Sequence, residues 1–225
     1  MNFIKCITLL GIAAICGCDS TGGTIGGLFP APKFMEGKVE NSTYYAMDKS
    51  FEVHTPFEEG SYSYKYMEVK EQYSNIGAYV SFNASDHPNE FYRIEIGKRL
   101  DTSQPFPSFD QLVTTLLQNY KKQLTAYGSE AKELQRIETT LDGKKALLVT
   151  LIQPMPSISN YQGTSRAYTA HHIIYIIMSP TRGGGGSVWV QWPHDCNACP
   201  SGNEAEILST NPRIDSFIKS FRLKI

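Results

Sequence analysis

The chain has 225 residues, of which 41% are hydrophobic and 19% are charged. That length is enough for one domain of ordinary to large size with a substantial buried core. Its 21 Lys and Arg residues nearly balance its 22 Asp and Glu residues, which excludes the clustered positive charge of a nucleic-acid-binding protein, so no nucleic-acid partner is expected.

The first residues have the layout of a secretory signal. Lys5 precedes an apolar run from Cys6 to Cys16, which is shorter than the roughly 20 residues that span a bilayer. The next segment, Ile15-Cys16-Gly17-Cys18, resembles the lipobox of bacterial lipoproteins, in which an aliphatic residue and two small residues precede an obligatory cysteine. The resemblance implies that residues 1–17 are cleaved and that Cys18 carries the lipid that anchors the protein to a membrane.

The segment that follows the lipobox predicts a location and a tether. Asp19 resembles the inner-membrane retention signal of some Gram-negative bacteria, so we expect a periplasm-facing envelope protein, with the inner membrane favoured and the outer membrane left open. Residues 18–48 are expected to comprise the lipidated cysteine and a flexible tether, because the segment after Cys18 is dense in Gly, Pro, Ser and Thr. The alternative is that Lys38 to Tyr45 packs as an added strand.

Residues 49–225 are expected to form one globular domain that begins with strands. Short alternating or apolar runs predict strands at 50–54, 61–69, 78–83, 91–96, 133–140, 144–152, 168–178 and 188–192. The strand at 61–69 would place Tyr62, Tyr64 and Tyr66 on one face. This row is a candidate protein interface, since tyrosine is favoured there, and the alternative is that it faces the core.

Two helices and one tight turn have clear local signals. Ser108 and Gln111 form a capping box before a helix whose apolar positions run to Leu124. Asn211-Pro212 opens a second helix by an N-cap and a first-turn proline. Asp142-Gly143 predicts a two-residue hairpin turn. Strands segregated from helices in this way predict an α+β domain, with an antiparallel β-sheet covered by helices.

These motifs resemble the PsbP-like group, which includes extrinsic subunits of photosystem II and many bacterial lipoproteins. The similarity rests on Ser50 to Pro56, on the single long helix after a β meander, on the hairpin Leu141 to Lys145 and on Phe217 to Phe221. It implies an α/β/α sandwich over residues 49–225 and a role in binding or assembly. The chain departs from the group in a long loop around Cys196 to Asn203, and no functional residues carry over.

Cys196 and Cys199 are the cysteines that remain after the signal and the lipid site are set aside. In an oxidising compartment this pair is expected to form a structural disulfide. A redox role and metal binding with His194 are the alternatives, although Pro200 and the late position in the chain fit a thioredoxin-type fold poorly. His171 and His172 are adjacent in a strand and face opposite sides, so they do not hold one ion together. We expect one to be packed beside the core and the other to be partly exposed.

The function predicted from these observations is non-enzymatic binding or assembly support for another envelope component, with a protein as the partner and the membrane bound through Cys18. No catalytic residue, metal or cofactor is assigned. Two alternatives stay open. One is a periplasmic redox or hydrolytic enzyme that uses the loop of Cys196 and Cys199, and the other is a small-ligand carrier with a pocket between the sheet and helix 108–124.

Overall fold

A computed structural model describes residues 35–74, 77–87, 89–97, 108–127, 129–156, 159–160, 163–164, 167–178, 185–194 and 211–224. In chain order the elements are β1 (Lys38–Glu40), β2 (Thr43–Tyr45), β3 (Phe51–His54), α1 (Tyr62–Lys65), β4 (Met67–Ser74), β5 (Gly77–Ala84), β6 (Phe91–Gly97), α2 (Phe109–Tyr127), β7 (Lys132–Leu141), β8 (Lys144–Met155), β9 (Ser159–Asn160), β10 (Gly163–Thr164), β11 (Tyr168–Met178), β12 (Gly185–His194), α3 (Pro212–Ser220) and β13 (Arg222–Leu223).

A seven-stranded antiparallel sheet organises the domain, in the order β4-β5-β6-β12-β11-β8-β7. Strand β11 lies between β12 and β8, which explains its almost unbroken apolar sequence, because both of its faces are covered. Along the strands, alternate side chains enter two separate hydrophobic cores. Ile174 and Ile176 contribute to one of them, and Ile173, Tyr175 and Ile177 contribute to the other.

Helices cover both faces of the large sheet, as predicted. Helix α2 packs on one face through Val113, Leu117, Tyr120 and Leu124. The opposite face carries α3 together with a four-stranded sheet of order β1-β2-β3-β13. The fold is therefore α+β, with one mainly helical layer and one mixed layer around a central antiparallel sheet. Among the helices described, none is both long and apolar enough to cross a membrane.

The local signals for the helices and the tight turn are confirmed. The Ser108 backbone N–H donates to the Gln111 side chain at 2.8 Å, and the Gln111 N–H donates to Ser108 Oγ at 3.2 Å. The Ile214 N–H donates to the Asn211 side chain at 3.4 Å, which caps α3. Asp142 (φ 51°) and Gly143 (φ 69°) adopt the left-handed backbone that a two-residue hairpin turn requires.

The predicted boundary at residue 48 is wrong, because the end of the predicted tether belongs to the folded domain. Residues 38–45 form β1 and β2, and β2 pairs with β3. Tyr44 is completely buried, and its ring meets Phe82 edge-on at 5.3 Å. The alternative of an added strand over these residues is thus the correct one. The strands are only three residues long, too short for a period to show in the sequence.

The predicted strand at 61–69 begins later than expected. Residues Tyr62–Lys65 form the short helix α1, and β4 starts at Met67. Ser61 Oγ accepts the Tyr64 N–H at 3.1 Å, so a serine cap turns the backbone into a helix where the alternation of tyrosines predicts a strand.

Candidate binding surface

Helix α1 exposes two of the three tyrosines that the sequence suggested as an interface. Tyr62 and Tyr66 are four residues apart and therefore lie on the same side of the helical turn. Their exposed fractions are 63% and 40%, and their ring centroids are 4.5 Å apart. Tyr64 points the other way and packs against the core that contains α3. The predicted row of three is therefore an exposed pair plus one anchoring residue.

A groove of about 470 Å³ opens where β3 ends and where α1 and α3 come close, and its lining includes Ser61 and Ser63, the two chain neighbours of Tyr62. Pro56 stops β3, and the following loop leads into the Ser61 cap of α1. The lining is rich in hydroxyl groups and consists of Ser42, His54, Thr55, Pro56, Phe57, Glu58, Ser61, Ser63, Arg213 and Ser216. Because the walls come from three different elements, the groove could not be read from any one sequence segment.

Arg213 lies in the groove and is held by neighbours on several sides. Its guanidinium contacts His87 Nε2 at 3.1 Å and the Glu90 carboxylate at 3.5 Å, and it lies 5.3 Å from the centre of the Phe57 ring. The His87 ring stacks on Phe57 with centroids 5.5 Å apart. Arginine only donates, so His87 Nε2 is the acceptor of this contact, and His87 Nδ1 lies 3.7 Å from the Glu90 carboxylate.

The hydroxyl of Ser63 is not part of a serine–histidine pair. Ser63 Oγ donates to the Asp86 carboxylate at 2.6 Å, and this hydrogen bond is the main cause that lowers the pKa of Asp86. His87 Nε2 is already occupied by Arg213. These residues therefore form a network that fixes the loop to α3, and nothing in their geometry activates the serine as a nucleophile.

Carboxylates outnumber basic groups around the groove. Glu58 lines it, Glu59 accepts from Ser42 at 3.4 Å, Asp86 accepts from Ser63, and Glu90 pairs with Arg213. Each of the four carboxylates thus lines the groove or contacts a residue that does. Arg213 is the one guanidinium among the described lining residues. Acidic side chains therefore predominate around the described part of the groove.

A second polar cluster lies between α2 and the sheet and serves packing. Arg93 forms an ion pair with Glu95 and lies 4.9 Å from the Tyr79 ring centre and 5.1 Å from that of Trp189. The Tyr120 hydroxyl donates to Glu95 at 2.7 Å. The guanidinium is already enclosed by its own aromatic side chains, so this cluster stabilises the contact of α2 with the sheet.

Both adjacent histidines of β11 are buried, so the prediction that one of them is partly exposed is wrong. They do face opposite sides, as predicted: His171 packs on Trp192, and His172 accepts the Trp189 indole N–H on Nδ1 at 3.2 Å. Burial lowers the pKa of His172 from 6.5 to about 3. The second layer that covers each face of this central strand accounts for the difference.

The space between the sheet and α2, where a ligand pocket was one alternative, is occupied by side chains. Leu117, Leu124, Leu147, Val149 and Trp189 meet there as one buried cluster. A groove of about 370 Å³ lies at the start of α2, next to Phe109 and Arg136. The structure therefore does not support a small-ligand carrier with its site under this helix.

The cysteine predictions fall on residues outside the described ranges. Cys18 lies among residues 1–34, and Cys196 and Cys199 lie among residues 195–210, which the structure does not describe. Lipidation and the disulfide therefore stay predictions. Within the ranges that the structure describes, no group of three or more His, Cys, Asp or Glu side chains is arranged to hold a metal ion.

The fold is similar to those of solved structures. The solution structure of cyanobacterial PsbP (CyanoP) from Synechocystis sp. PCC 6803 matches with a TM-score of 0.50 at 11% identity, over 89% of this chain and 98% of that one. The chain has a PsbP-like fold. The PsbP-like elements that carried the resemblance in the sequence lie in β3, in the β7–β8 hairpin and at the end of α3.

A second solved structure is similar to a lesser degree. The crystal structure of the Saccharomyces cerevisiae Ran-binding protein Mog1p matches with a TM-score of 0.46 at 9% identity, over 83% of this chain and 96% of that one. No protein-family model and no curated protein sequence matches the chain. At these identities the PsbP-like likeness describes the fold and transfers no site residue.

Proposed function

We propose that this protein is a lipid-anchored envelope lipoprotein that binds another envelope protein and supports its assembly, without catalysing a reaction. The observation that carries the proposal is the exposed tyrosine pair, Tyr62 and Tyr66, beside an open groove. Large aromatic side chains on a surface are costly to leave in water and are enriched where proteins bind one another.

The anchor is supported by the sequence at the amino terminus. A basic residue, a short apolar run and the lipobox-like segment ending at Cys18 occur at the spacing that lipoprotein processing requires. Met35, the first described residue, is 17 positions after Cys18. A domain anchored through Cys18 would meet partners in or near the membrane at a high local concentration.

Affinity capture from solubilised envelopes tests the binding role. Tagged full-length protein is compared with a Tyr62→Ser, Tyr66→Ser double variant and with Tyr45→Ser, which removes an exposed tyrosine from the outer face of β2. We expect a specific partner with the wild type and with Tyr45→Ser, and its loss with the double variant. Capture that is equal for all three proteins would contradict the assignment of this surface.

A further inference from the structure

We infer that the groove and the tyrosine pair bind an extended, lysine- or arginine-containing segment of the partner protein. This inference rests on the proposed function and specifies the chemistry of the same surface. The groove lies next to a loop, Glu58-Glu59-Gly60, that leads directly into α1, so acidic and aromatic side chains come from one continuous stretch of chain.

Charge favours a basic ligand over an acidic one. Four carboxylates lie around the groove, and one of them, Glu58, is exposed and forms no ion pair with any described residue. Arg213, the guanidinium among the described lining residues, already contacts Glu90 and His87 and packs over Phe57. An arriving carboxylate would have to compete with Glu90, whereas an arriving ammonium or guanidinium meets Glu58 directly.

The tyrosine pair already accepts a cation from the chain itself. Lys65 Nζ lies 5.6 Å from the centre of the Tyr66 ring, within the range of a cation–π contact. Lys65 is exposed, so this contact exchanges readily with solvent. A basic side chain from a partner can take the same position over Tyr66 or stack on Tyr62, which is exposed to a greater degree.

The groove offers hydrogen-bonding groups to an extended segment. Its lining offers the hydroxyls of Ser42, Ser61, Ser63 and Ser216 and one exposed carboxylate, while Phe57 is itself covered by His87 and Arg213. The Ser42 and Ser63 hydroxyls donate to Glu59 and Asp86 and keep lone pairs that can accept a backbone N–H. Ser61 Oγ accepts the Tyr64 N–H and keeps its own proton, which can be donated to a backbone carbonyl. Its volume, about 470 Å³, accommodates side chains but no folded domain.

Fluorescence anisotropy with synthetic probes tests the inference on the full-length protein in detergent micelles. The probe is a short labelled peptide in which lysine and arginine alternate with glycine, and its counterpart carries glutamate at each basic position. We expect only the basic peptide to bind, and we expect Glu58→Gln, Glu59→Gln to weaken it about fivefold. Tyr62→Ser, Tyr66→Ser should weaken it by a similar factor, about fivefold.

Lys65→Gln gives the sharpest discrimination, because it removes the cation that competes for Tyr66. For a basic ligand the affinity should rise about twofold, whereas for an acidic ligand it should fall. Glu138→Gln, which neutralises an exposed carboxylate on β7, is the matched control and should leave binding unchanged. Each variant is checked for an unaltered melting temperature.

Binding of the acidic peptide, or equal binding of the basic peptide to the Glu58→Gln, Glu59→Gln variant, overturns the inference. So does a Lys65→Gln variant that binds the basic peptide more weakly. The proposed function is tested separately. If envelope capture depends on Tyr62 and Tyr66 but the basic peptide does not bind, the proposed function is retained and the inference of a basic ligand is rejected.

Discussion

At the scale of single residues, Tyr44 and Tyr45 show that two side chains of the same type can have very different environments. Tyr44 is completely buried and its hydroxyl contacts Glu71 and Tyr73, whereas Tyr45 is 38% exposed. Tyr44→Ala should lower the free energy of unfolding by about 3–5 kcal/mol, because it empties a buried site. Tyr45→Ala should change it by less than about 0.5 kcal/mol. Urea unfolding of both variants measures the difference, and equal losses would contradict the placement of β2.

His172 makes the stability depend on pH in a defined direction. Burial lowers its pKa from 6.5 to about 3, so the folded protein keeps the ring neutral while the unfolded chain becomes protonated. Since the unfolded state binds the extra proton, stability should fall as the pH falls from 6.5 towards 3, by up to about 1.4 kcal/mol per pH unit. His172→Gln keeps an acceptor for Trp189 and should remove this part of the slope.

Urea unfolding at several pH values between about 4 and 7 checks the prediction for His172. The comparison with wild type isolates the histidine, because Asp86, Glu133 and Asp142, whose pKa values are lowered, are present in both proteins. Identical slopes for the two proteins would show that folding does not lower the pKa of His172.

At the scale of elements, the turn of the β7–β8 hairpin is determined by its own two residues, Asp142 and Gly143. Gly143 has φ 69°, a left-handed backbone that costs an alanine roughly 1–2 kcal/mol. Gly143→Ala should therefore destabilise the protein by about that amount. Gly143→Asn, which tolerates the same backbone, should cost clearly less. Thermal unfolding distinguishes them, and equal melting temperatures for the two variants would contradict the turn type.

The same distinction explains which elements the sequence predicts correctly. The Ser108–Gln111 box, the Asn211 cap and the Asp142-Gly143 turn are local, so their residues suffice to predict them. The tyrosine alternation before Met67 predicts a strand, but the cap at Ser61 imposes a helical turn. β1 and β2 are too short for a pattern and exist because they pair with β3.

The candidate site was predictable only in part. Tyr62 and Tyr66 were found because tyrosine alternation is visible in the sequence, although their exposure depends on α1. Arg213 comes from α3 and His87 from the loop before β6, so their contact at 3.1 Å joins residues 126 positions apart. The two adjacent acidic residues Glu58 and Glu59 were the sequence signal available for the carboxylates around the groove.

At the scale of the whole molecule, the proposed function requires both a membrane anchor and a binding domain. Cys18→Ser should release the protein from the membrane fraction, because the acyl chains supply the apolar burial that holds it there. Membrane and soluble fractions are compared by immunoblotting, with Cys6→Ser as the control, since that residue lies in the predicted signal. Retention of the Cys18→Ser protein in the membrane would contradict lipid anchoring through this residue.

The central claim is that the partner is bound at the tyrosine surface. A photoreactive phenylalanine analogue placed at Tyr62 in cells tests it most directly, with the same residue at Ile137, 40% exposed on β7, as the matched control. We expect one dominant crosslinked protein from position 62 and none from position 137. No crosslink at 62, or the same products from both positions, would contradict it.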